Sequence, residues 1–368
     1  MRIAVDLRSL TEPLPSGITE YTKQIAFQFA RHGTGHDFVL FSNSRKNVSP
    51  DIRTLWSGAN AEWKVTHWPN KIFNSSIIMT GYPRLDTWVG GTDVFFMPNL
   101  NFANFTGACK VVVTVHDLSF LHSGFYSAKG RMWHNAIRPF SILKRANAIV
   151  AVSQSTAIDL INRIPSLNGR VTVIHSGVDE KYFISDVHDC DRVRAKYSLP
   201  SKYILFLGTA ENRKNLLGLV QAWRKLKKRS RTIPSLVIAG KPQQFNHFGD
   251  PDIIFLGYVP ETDKAGLYGN ALVFCYPSFF EGFGLPILEA MACGTPVIAS
   301  YATSLAEVVG TAGIMVNPYS VAEMSHALNM LLSDDTMRVS LGERGRLRAR
   351  QFTWESTGQK TLNLLTNI

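Results

Sequence analysis

The sequence predicts an α/β protein of two domains in tandem, each a parallel sheet wrapped by helices. Three observations carry this expectation. Short β-branched or aromatic runs alternate with segments of helical periodicity, the pattern of βαβ units. The alternation runs through the chain twice, in two series separated by a charged stretch. The length, 368 residues, exceeds the size at which a single core usually goes on growing.

Taken in order, the first series places strands at 3–7, 37–41, 94–97, 111–115, 148–152 and 171–174. Between the first two, Tyr21, Ile25, Ala26 and Phe29 recur at helical spacing, so 17–31 reads as an amphipathic helix. Residues 179–200 carry many charges, one apolar pair (Tyr182, Phe183) and little strand character. They read as a linker with a short helix, which sets the domain boundary near 185. The second series follows at 203–207, 235–239, 253–256, 272–275 and 296–299. Domains are therefore expected at 1–185 and 186–350, with 351–368 as a terminal helix.

Composition narrows the function classes. Apolar residues at 45% and charged residues at 18% suit a globular core and exclude a disordered chain. Cys109, Cys190, Cys275 and Cys293 are widely spaced, with no C-x-x-C pair, which points to a reducing compartment. The first residues, Met1-Arg-Ile-Ala-Val-Asp-Leu-Arg8, read as a strand and lack the apolar stretch of a signal peptide. No run of about 20 apolar residues is present to span a bilayer. A cytoplasmic protein is expected, with membrane contact at most peripheral. The net charge of +11 favours anionic partners: sugar nucleotides, anionic lipids or nucleic acid. No nucleic-acid-binding module is recognisable, so nucleic acid is not expected as a partner.

The segment 277–300 holds the most specific chemistry. It reads as strand, loop, helix, loop, strand, with Glu281 in the first loop. Gly282 and Gly284 allow tight backbone geometry around Phe283 and Leu285, Pro286 suits a first helical turn, and Gly294 ends the helix. A helix start of this kind holds a phosphate through amides and dipole, without a metal. Glu289 lies just over one turn into that helix, so one carboxylate stands at its mouth and the other flanks the bound group. The plainer alternatives are a solvated loop acid for Glu281 and an exposed helix charge for Glu289. In Leu207-Gly-Thr-Ala-Glu-Asn-Arg-Lys-Asn-Leu216 a strand runs into a loop with Arg213 and Lys214, two cations able to face a diphosphate. Surface ion pairing is the alternative for both. In the first half, Val111-Val-Val-Thr-Val-His-Asp-Leu118 leaves His116 at the carboxyl end of a strand, where ligands collect in open α/β sheets.

These segments resemble the E-x7-E signature of glycosyltransferase family 4. The likeness continues through Pro277-Ser278, Cys293-Gly-Thr-Pro-Val297, Ser304-Leu-Ala-Glu-Val308 and Phe352-Thr-Trp-Glu355. It covers nearly the whole chain and is nearest in character to bacterial mannosyltransferases of O-antigen and polysaccharide synthesis. It implies the GT-B fold: two Rossmann-like domains facing across a cleft, with a C-terminal helix crossing back to the first. It implies a retaining, metal-independent transfer from a nucleotide-sugar donor to a glycan or lipid-linked saccharide, with GDP-mannose as the expected donor and a UDP-sugar as the alternative. Glu281 would contact donor-sugar hydroxyls, Glu289 the ribose, Arg213 and Lys214 the diphosphate, and His116 the donor sugar near the reaction centre. Ser16-Gly17-Ile18 would form the glycine loop near the diphosphate. Tyr258 and Val259 would grip the base through backbone groups, with Lys241 lining that pocket. Ser153 and Gly177-Val-Asp179 match positions that read as architectural. The chain departs from the pattern at Asn215, where a Gly is common, at Thr209, where many relatives place an Arg, and in the glycine loop, which lacks its second Gly.

Two D-x-D triplets, Asp189-Cys-Asp191 and Asp250-Pro-Asp252, are the pattern that binds metal in the other common glycosyltransferase fold. Neither follows a strand, and no metal site is expected. A nucleotide-sugar 2-epimerase shares the double-domain build, but the E-x7-E block favours transfer. A dehydrogenase would need a G-x-G-x-x-G after the first strand, which is missing. A non-catalytic relative is disfavoured by the intact Glu281, Glu289, Arg213, Lys214 and His116. The segments 63–88 and 120–133 mix aromatic and basic residues (Trp68, Lys71, Phe73, Tyr82, Arg84 and Trp88, then Phe125, Tyr126, Lys129, Arg131 and Trp133). They read either as surfaces that stack on sugars or rest on lipid, or as ordinary packing.

Overall fold

The computed structural model describes residues 1–11, 16–44, 50–122, 124–125, 128–184, 187–209, 211–230, 232–240 and 248–368. Two compact units divide the chain: Met1–Gly177 together with Trp354–Ile368, and Val178–Thr353. Tyr126, Lys241 and the side chain of Lys129 lie outside the described residues.

In the first unit, seven parallel strands lie in the order β3-β2-β1-β4-β5-β6-β7. They are β1 (Arg2–Asp6), β2 (Asp37–Asn43), β3 (Ala61–Thr66), β4 (Val94–Met97), β5 (Lys110–Val115), β6 (Ala148–Ala151) and β7 (Val171–Val173). The β-branched and aromatic runs of β4 to β6 are buried throughout apart from the first residue of β5, as a sheet covered on both faces requires. The sequence reading missed β3. Its charges sit on an edge strand, where Glu62 bridges Arg2 at 2.8 Å and Lys64 at 2.5 Å. The terminal helix Trp354–Thr366 packs on the helix Gly17–His32. Gly358 permits that approach, since a Cβ there would stand 2.2 Å from Gln28 Cβ.

In the second unit, six parallel strands lie in the order β10-β9-β8-β11-β12-β13. They are β8 (Tyr203–Leu207), β9 (Ser235–Ala239), β10 (Ile253–Gly257), β11 (Val273–Tyr276), β12 (Val297–Ser300) and the short, unforeseen β13 (Ile314–Val316). Residues 179–200 contain the expected short helix, but they belong to the second unit and do not stand between the two. They form a 3-10 turn, Glu180–Phe183, and a helix, Val187–Lys196, packed on the helix Glu261–Gly269. Buried Asp263 accepts hydrogen bonds from Arg192 at 2.8 Å, Lys196 at 2.5 Å and the Tyr197 hydroxyl at 2.7 Å. The charges that made this stretch look solvated are thus tied to the unit. The crossing accordingly falls at Gly177, ahead of 185.

Both strand orders reverse direction of travel beside the first strand of the series, the arrangement that collects ligands at the carboxyl ends of the two strands flanking the reversal. In the second unit those strands are β8 and β11, so the loops that follow them are brought together. No helix among the described residues is long and apolar enough to cross a membrane.

Candidate active site

The loop after β8 carries Arg213 and Lys214 on a 3-10 turn, Asn212–Lys214, and the loop after β11 carries Glu281. A backbone hydrogen bond from Phe279 N to Arg213 O, 2.7 Å, joins the two loops. Lys214 donates to Glu281 Oε1 and to the Tyr276 hydroxyl, and Arg213 Nη1 lies 3.3 Å from Glu281 Oε2. Arg213 also donates through Nε to Glu211 at 2.7 Å. Glu281 and Lys214 are each only 7% exposed, so neither the solvated loop acid nor the surface pair describes them. Burial works to raise the Glu281 pKa, but Lys214 and Arg213 outweigh it and hold the carboxyl below its usual range. Burial pushes the Lys214 ammonium below its ordinary value, against the pull of Glu281.

The loop holding Glu281 is fixed from behind. Glu281 N donates to Thr303 Oγ1 at 3.0 Å, and Ser304 Oγ donates to the carbonyls of Glu281 and Phe283 at 2.9 and 3.2 Å. Gly284 precedes the helix Leu285–Ala292 with φ 105°, and a Cβ there would stand 2.5 Å from Leu305, so both backbone and space select glycine. Asn215, at the position where relatives commonly have Gly, adopts φ 56°, a left-handed conformation that Asn tolerates better than most residues. Its amide also donates to Pro277 O at 3.1 Å and Pro318 O at 2.6 Å, which glycine would not do.

Glu289 lies inside the helix and is buried. It accepts from the Tyr268 hydroxyl at 2.8 Å and has Lys264 at 3.8 Å. Here burial prevails over Lys264, with Glu261 adding to it, and the carboxyl is held above its usual value. Tyr258 is exposed and Val259 is buried, both after the bulged end of β10.

In the first unit, Ser16 caps the helix Gly17–His32: its Oγ accepts from Thr19 N at 3.3 Å, and Thr19 Oγ1 accepts from Ser16 N at 3.1 Å. Gly17 and Ile18 are that helix's first residues. His116 follows β5, and its Nε2 lies 2.9 Å from Pro98 O, next to β4. A carbonyl only accepts, so Nε2 carries the proton and Nδ1 is left with its lone pair. The Tyr21 ring packs edge-on at 4.8 Å, and burial keeps the imidazole below its usual pKa, hence neutral. Asp117 accepts from Ser119 N and Oγ, which makes it a local turn cap. Ser153 likewise caps a helix through Thr156 N at 3.0 Å.

Several sequence-selected residues stand elsewhere. Trp68, Phe73 and Trp88 pack on one another and on the first unit's core, whereas Tyr82 and Trp133 remain about half exposed. Asp189 and Asp191 pair with Arg192 and Arg194 on their own helix, and Asp250 and Asp252 share Lys227. Conversely, Tyr276, Tyr268, Thr303 and Ser304 shape the carboxylate sites although the sequence reading gave them no role. Their one signal was adjacency: Tyr276 directly precedes Pro277-Ser278, and Thr303 directly precedes the Ser304-Leu-Ala-Glu-Val308 match.

Comparison with known proteins bears on this arrangement. The pattern of the family described as Glycosyltransferase Family 4 matches residues 15–182, and that of Glycosyl transferases group 1 matches 191–348. The chain is 36% identical over 264 residues to O-antigen chain mannosyltransferase B of Escherichia coli, an alignment covering 69% of each protein. It is 31% identical over 274 residues to the serotype-specific mannosyltransferase WbdA of the same species, covering 70% of this chain and 34% of the relative, so the match spans about a third of that longer protein. Among solved structures, sucrose-phosphate synthase from Thermosynechococcus elongatus superposes with a TM-score of 0.75 at 22% identity, covering 99% of this chain and 98% of the other. At that identity the likeness is one of fold.

Proposed function

The chain belongs to glycosyltransferase family 4, and from that premise we propose that it transfers mannose from GDP-mannose to a glycan or lipid-linked saccharide in polysaccharide or O-antigen assembly. The transfer runs with retention at the anomeric carbon. The observation that carries this reading is the buried Glu281 between Lys214 and Arg213, beside the start of the helix that holds Glu289 just over one turn in. The two mannosyltransferase relatives support the choice of sugar.

Glu211 and Glu281 compensate Arg213 and Lys214 in the free protein. A donor diphosphate takes their place: its oxygens accept from the two cations, and Glu281 is released to accept from hydroxyls of the sugar. Glu289 accepts from the ribose, the backbone of Tyr258 and Val259 meets the base, and the amides of 282–285 meet the distal phosphate. His116, Ser16, Gly17, Ile18 and Lys241 keep the roles implied by the family resemblance. In the step itself, the acceptor oxygen bonds to the anomeric carbon on the face from which the nucleotide departs. The carbon–phosphate oxygen bond breaks, and the acceptor's proton passes to the leaving diphosphate. Charge developing on that diphosphate is met by Arg213 and Lys214, the task a metal performs elsewhere. The reaction belongs in the cytoplasm, with peripheral contact at an anionic membrane. Cosedimentation with anionic vesicles at low salt tests that contact, and a protein left wholly in the supernatant refutes it.

The main test is a thermal-shift panel with GDP, UDP, ADP and their sugar conjugates, with and without EDTA, because a ligand that binds the folded state raises its melting temperature. Stabilisation by GDP and GDP-mannose that EDTA leaves unchanged is the expected result. A UDP response transfers the donor assignment to a UDP-hexose. No response to any nucleotide overturns the enzymatic reading in favour of a non-catalytic relative. Accumulation of a covalent glycosyl-enzyme in Glu281→Gln would overturn the same-face step.

A further inference from the structure

The first unit contains a cavity of about 640 Å³ lined from the helix Asn70–Thr80, the segment 102–111 and the segment 136–147. Its volume suits a small-molecule ligand. Three cations line it, Lys110, Arg138 and Arg145, and no acidic residue does. None of the three forms an ion pair among the described residues, although cations elsewhere in this unit, such as Arg2, Arg8 and Lys64, do.

Two features mark this as a formed site. Arg145 is held in place by hydrogen bonds to Asn104 Oδ1 and Phe105 O, both 3.2 Å, and Asn104 is itself anchored by donating to Gly81 O at 2.7 Å. Those bonds occupy two of five guanidinium N–H groups and leave donors for a ligand. Arg138 has φ 55° and ψ 53°, left-handed and immediately before Pro139, a conformation that is costly for a non-glycine residue and doubly so ahead of proline. Strain of this kind on a cavity-lining cation is a reason to look for a ligand.

The position also separates the cavity from the transfer chemistry. Lys110 and Val111 line it at the amino end of β5, whereas His116 follows the carboxyl end. Six residues of strand at about 3.3 Å each put roughly 20 Å between the two ends. Open α/β sheets gather their usual ligands at the carboxyl ends.

We propose that this cavity binds a phosphate ester, the phosphate held by Lys110, Arg138 and Arg145 and the organic part lying against Phe102, Phe105 and Met79. The proposal does not depend on the donor assignment. The phosphate comes either from a soluble sugar phosphate or from a lipid headgroup, and the test separates them. Calorimetric titration of the full chain uses mannose 6-phosphate, with mannose as the uncharged control, and cosedimentation uses vesicles containing phosphatidic acid. Saturable binding of mannose 6-phosphate but not mannose is expected, weakened about tenfold by Lys110→Ala and by Arg138→Gly. Glycine accepts the left-handed backbone, so Arg138→Gly removes the cation without destabilising the fold, and Lys110→Ala is an independent exposed position. If only vesicles bind, and both variants weaken that binding, the ester is a lipid headgroup. The GDP response stays unchanged in both variants. Absence of both kinds of binding, or binding that neither variant weakens, overturns the proposal.

Discussion

Replacing Lys214 by Met tests whether the buried cluster is coupled as its geometry requires. The ammonium donates to both Glu281 Oε1 and the Tyr276 hydroxyl, and all three groups are buried. Methionine fills the space but leaves the Glu281 carboxylate with Arg213 alone, at 3.3 Å. Breaking a buried pair by removing one partner costs about 3–5 kcal/mol, and with Arg213 remaining the lower end applies, about 3 kcal/mol. In a domain of this size each kcal/mol shifts the melting temperature by about 2–4 °C, so scanning calorimetry at pH 7 should register a loss of roughly 6–12 °C. Glu281→Gln should cost less, about 1–2 kcal/mol, because Lys214 is already held below its ordinary pKa and sheds its proton more readily. The double variant buries no charge without a partner and should be more stable than Lys214→Met alone, a coupling of at least about 1 kcal/mol. The sign with pH is fixed by Glu281, whose folded pKa is depressed: its contribution is present above the ordinary carboxyl range and is lost as pH falls through the folded value. The gap between parent and Lys214→Met should therefore narrow in acid. A melting point within about 2 °C of the parent at pH 7, or additive single variants, would refute the coupled cluster.

Three further outcomes follow from the same unit. Asn215→Ala should cost about 3 kcal/mol in chemical denaturation, from the left-handed backbone and the lost bonds to Pro277 O and Pro318 O, with Asn215→Gly costing less because only the bonds are lost. Asp263, with a pKa depressed to about 2 by Lys196, Tyr197 and Arg192 against its burial, stabilises the fold above the ordinary Asp range. Asp263→Asn should cost about 2 kcal/mol at pH 7, and the difference should vanish as pH falls towards 2. Glu289 behaves oppositely, since a raised carboxyl pKa contributes stability below the unfolded value and loses it as pH rises through the folded one. Glu289→Gln should accordingly melt higher than the parent at pH 7 and equal to it in acid, while losing the nucleotide response; a lower melting point at pH 7 would show that burial does not govern this group.

How much of this was legible in the sequence differs by element. Eleven of the strands announced themselves: nine are buried along nearly their whole length and read as apolar runs, and the edge strands β7 and β10 were read from their β-branched residues. The two that did not, β3 and β13, are respectively an edge strand with charges along it and the short Ile314–Val316, hemmed in by Gly310 and Gly313. The stretch 179–200 looked like a linker because its charges were counted as solvated, and their partner, Asp263, lies more than 60 residues away in sequence. The segment 63–88 mixed aromatic and basic residues in a way that suited either a surface or ordinary packing, and Trp68, Phe73 and Trp88 close over the core of the first unit. Glu281, Arg213 and Lys214 were legible as a motif, and their adjacency was foreseeable from two loops following strands beside a topological reversal. Their mutual compensation was not. Nothing in the sequence marks the Tyr276 or Tyr268 hydroxyl as the partner of a carboxylate.

The two carboxylates of the E-x7-E block therefore have the same side chain and opposite surroundings, and the difference bears on their division of labour. Glu281 faces two cations and stays ionised, so a ligand that draws Lys214 and Arg213 away leaves a charged acceptor beside the incoming sugar. Glu289 has only the more distant Lys264, at 3.8 Å, and Lys181 to favour its charge, with a second acid, Glu261, nearby, and its environment moves it towards the neutral form. Groups of one type whose environments push their pKa values apart are commonly assigned different tasks. On the proposed reading, Glu281 responds to charge at the reacting end of the donor. Glu289 recognises a neutral diol, which a carboxyl can meet as acceptor and, in its protonated form, also as donor. The cost of keeping Glu289 buried is then met only when the ribose is in place, so its replacement by Gln should separate stability from nucleotide binding.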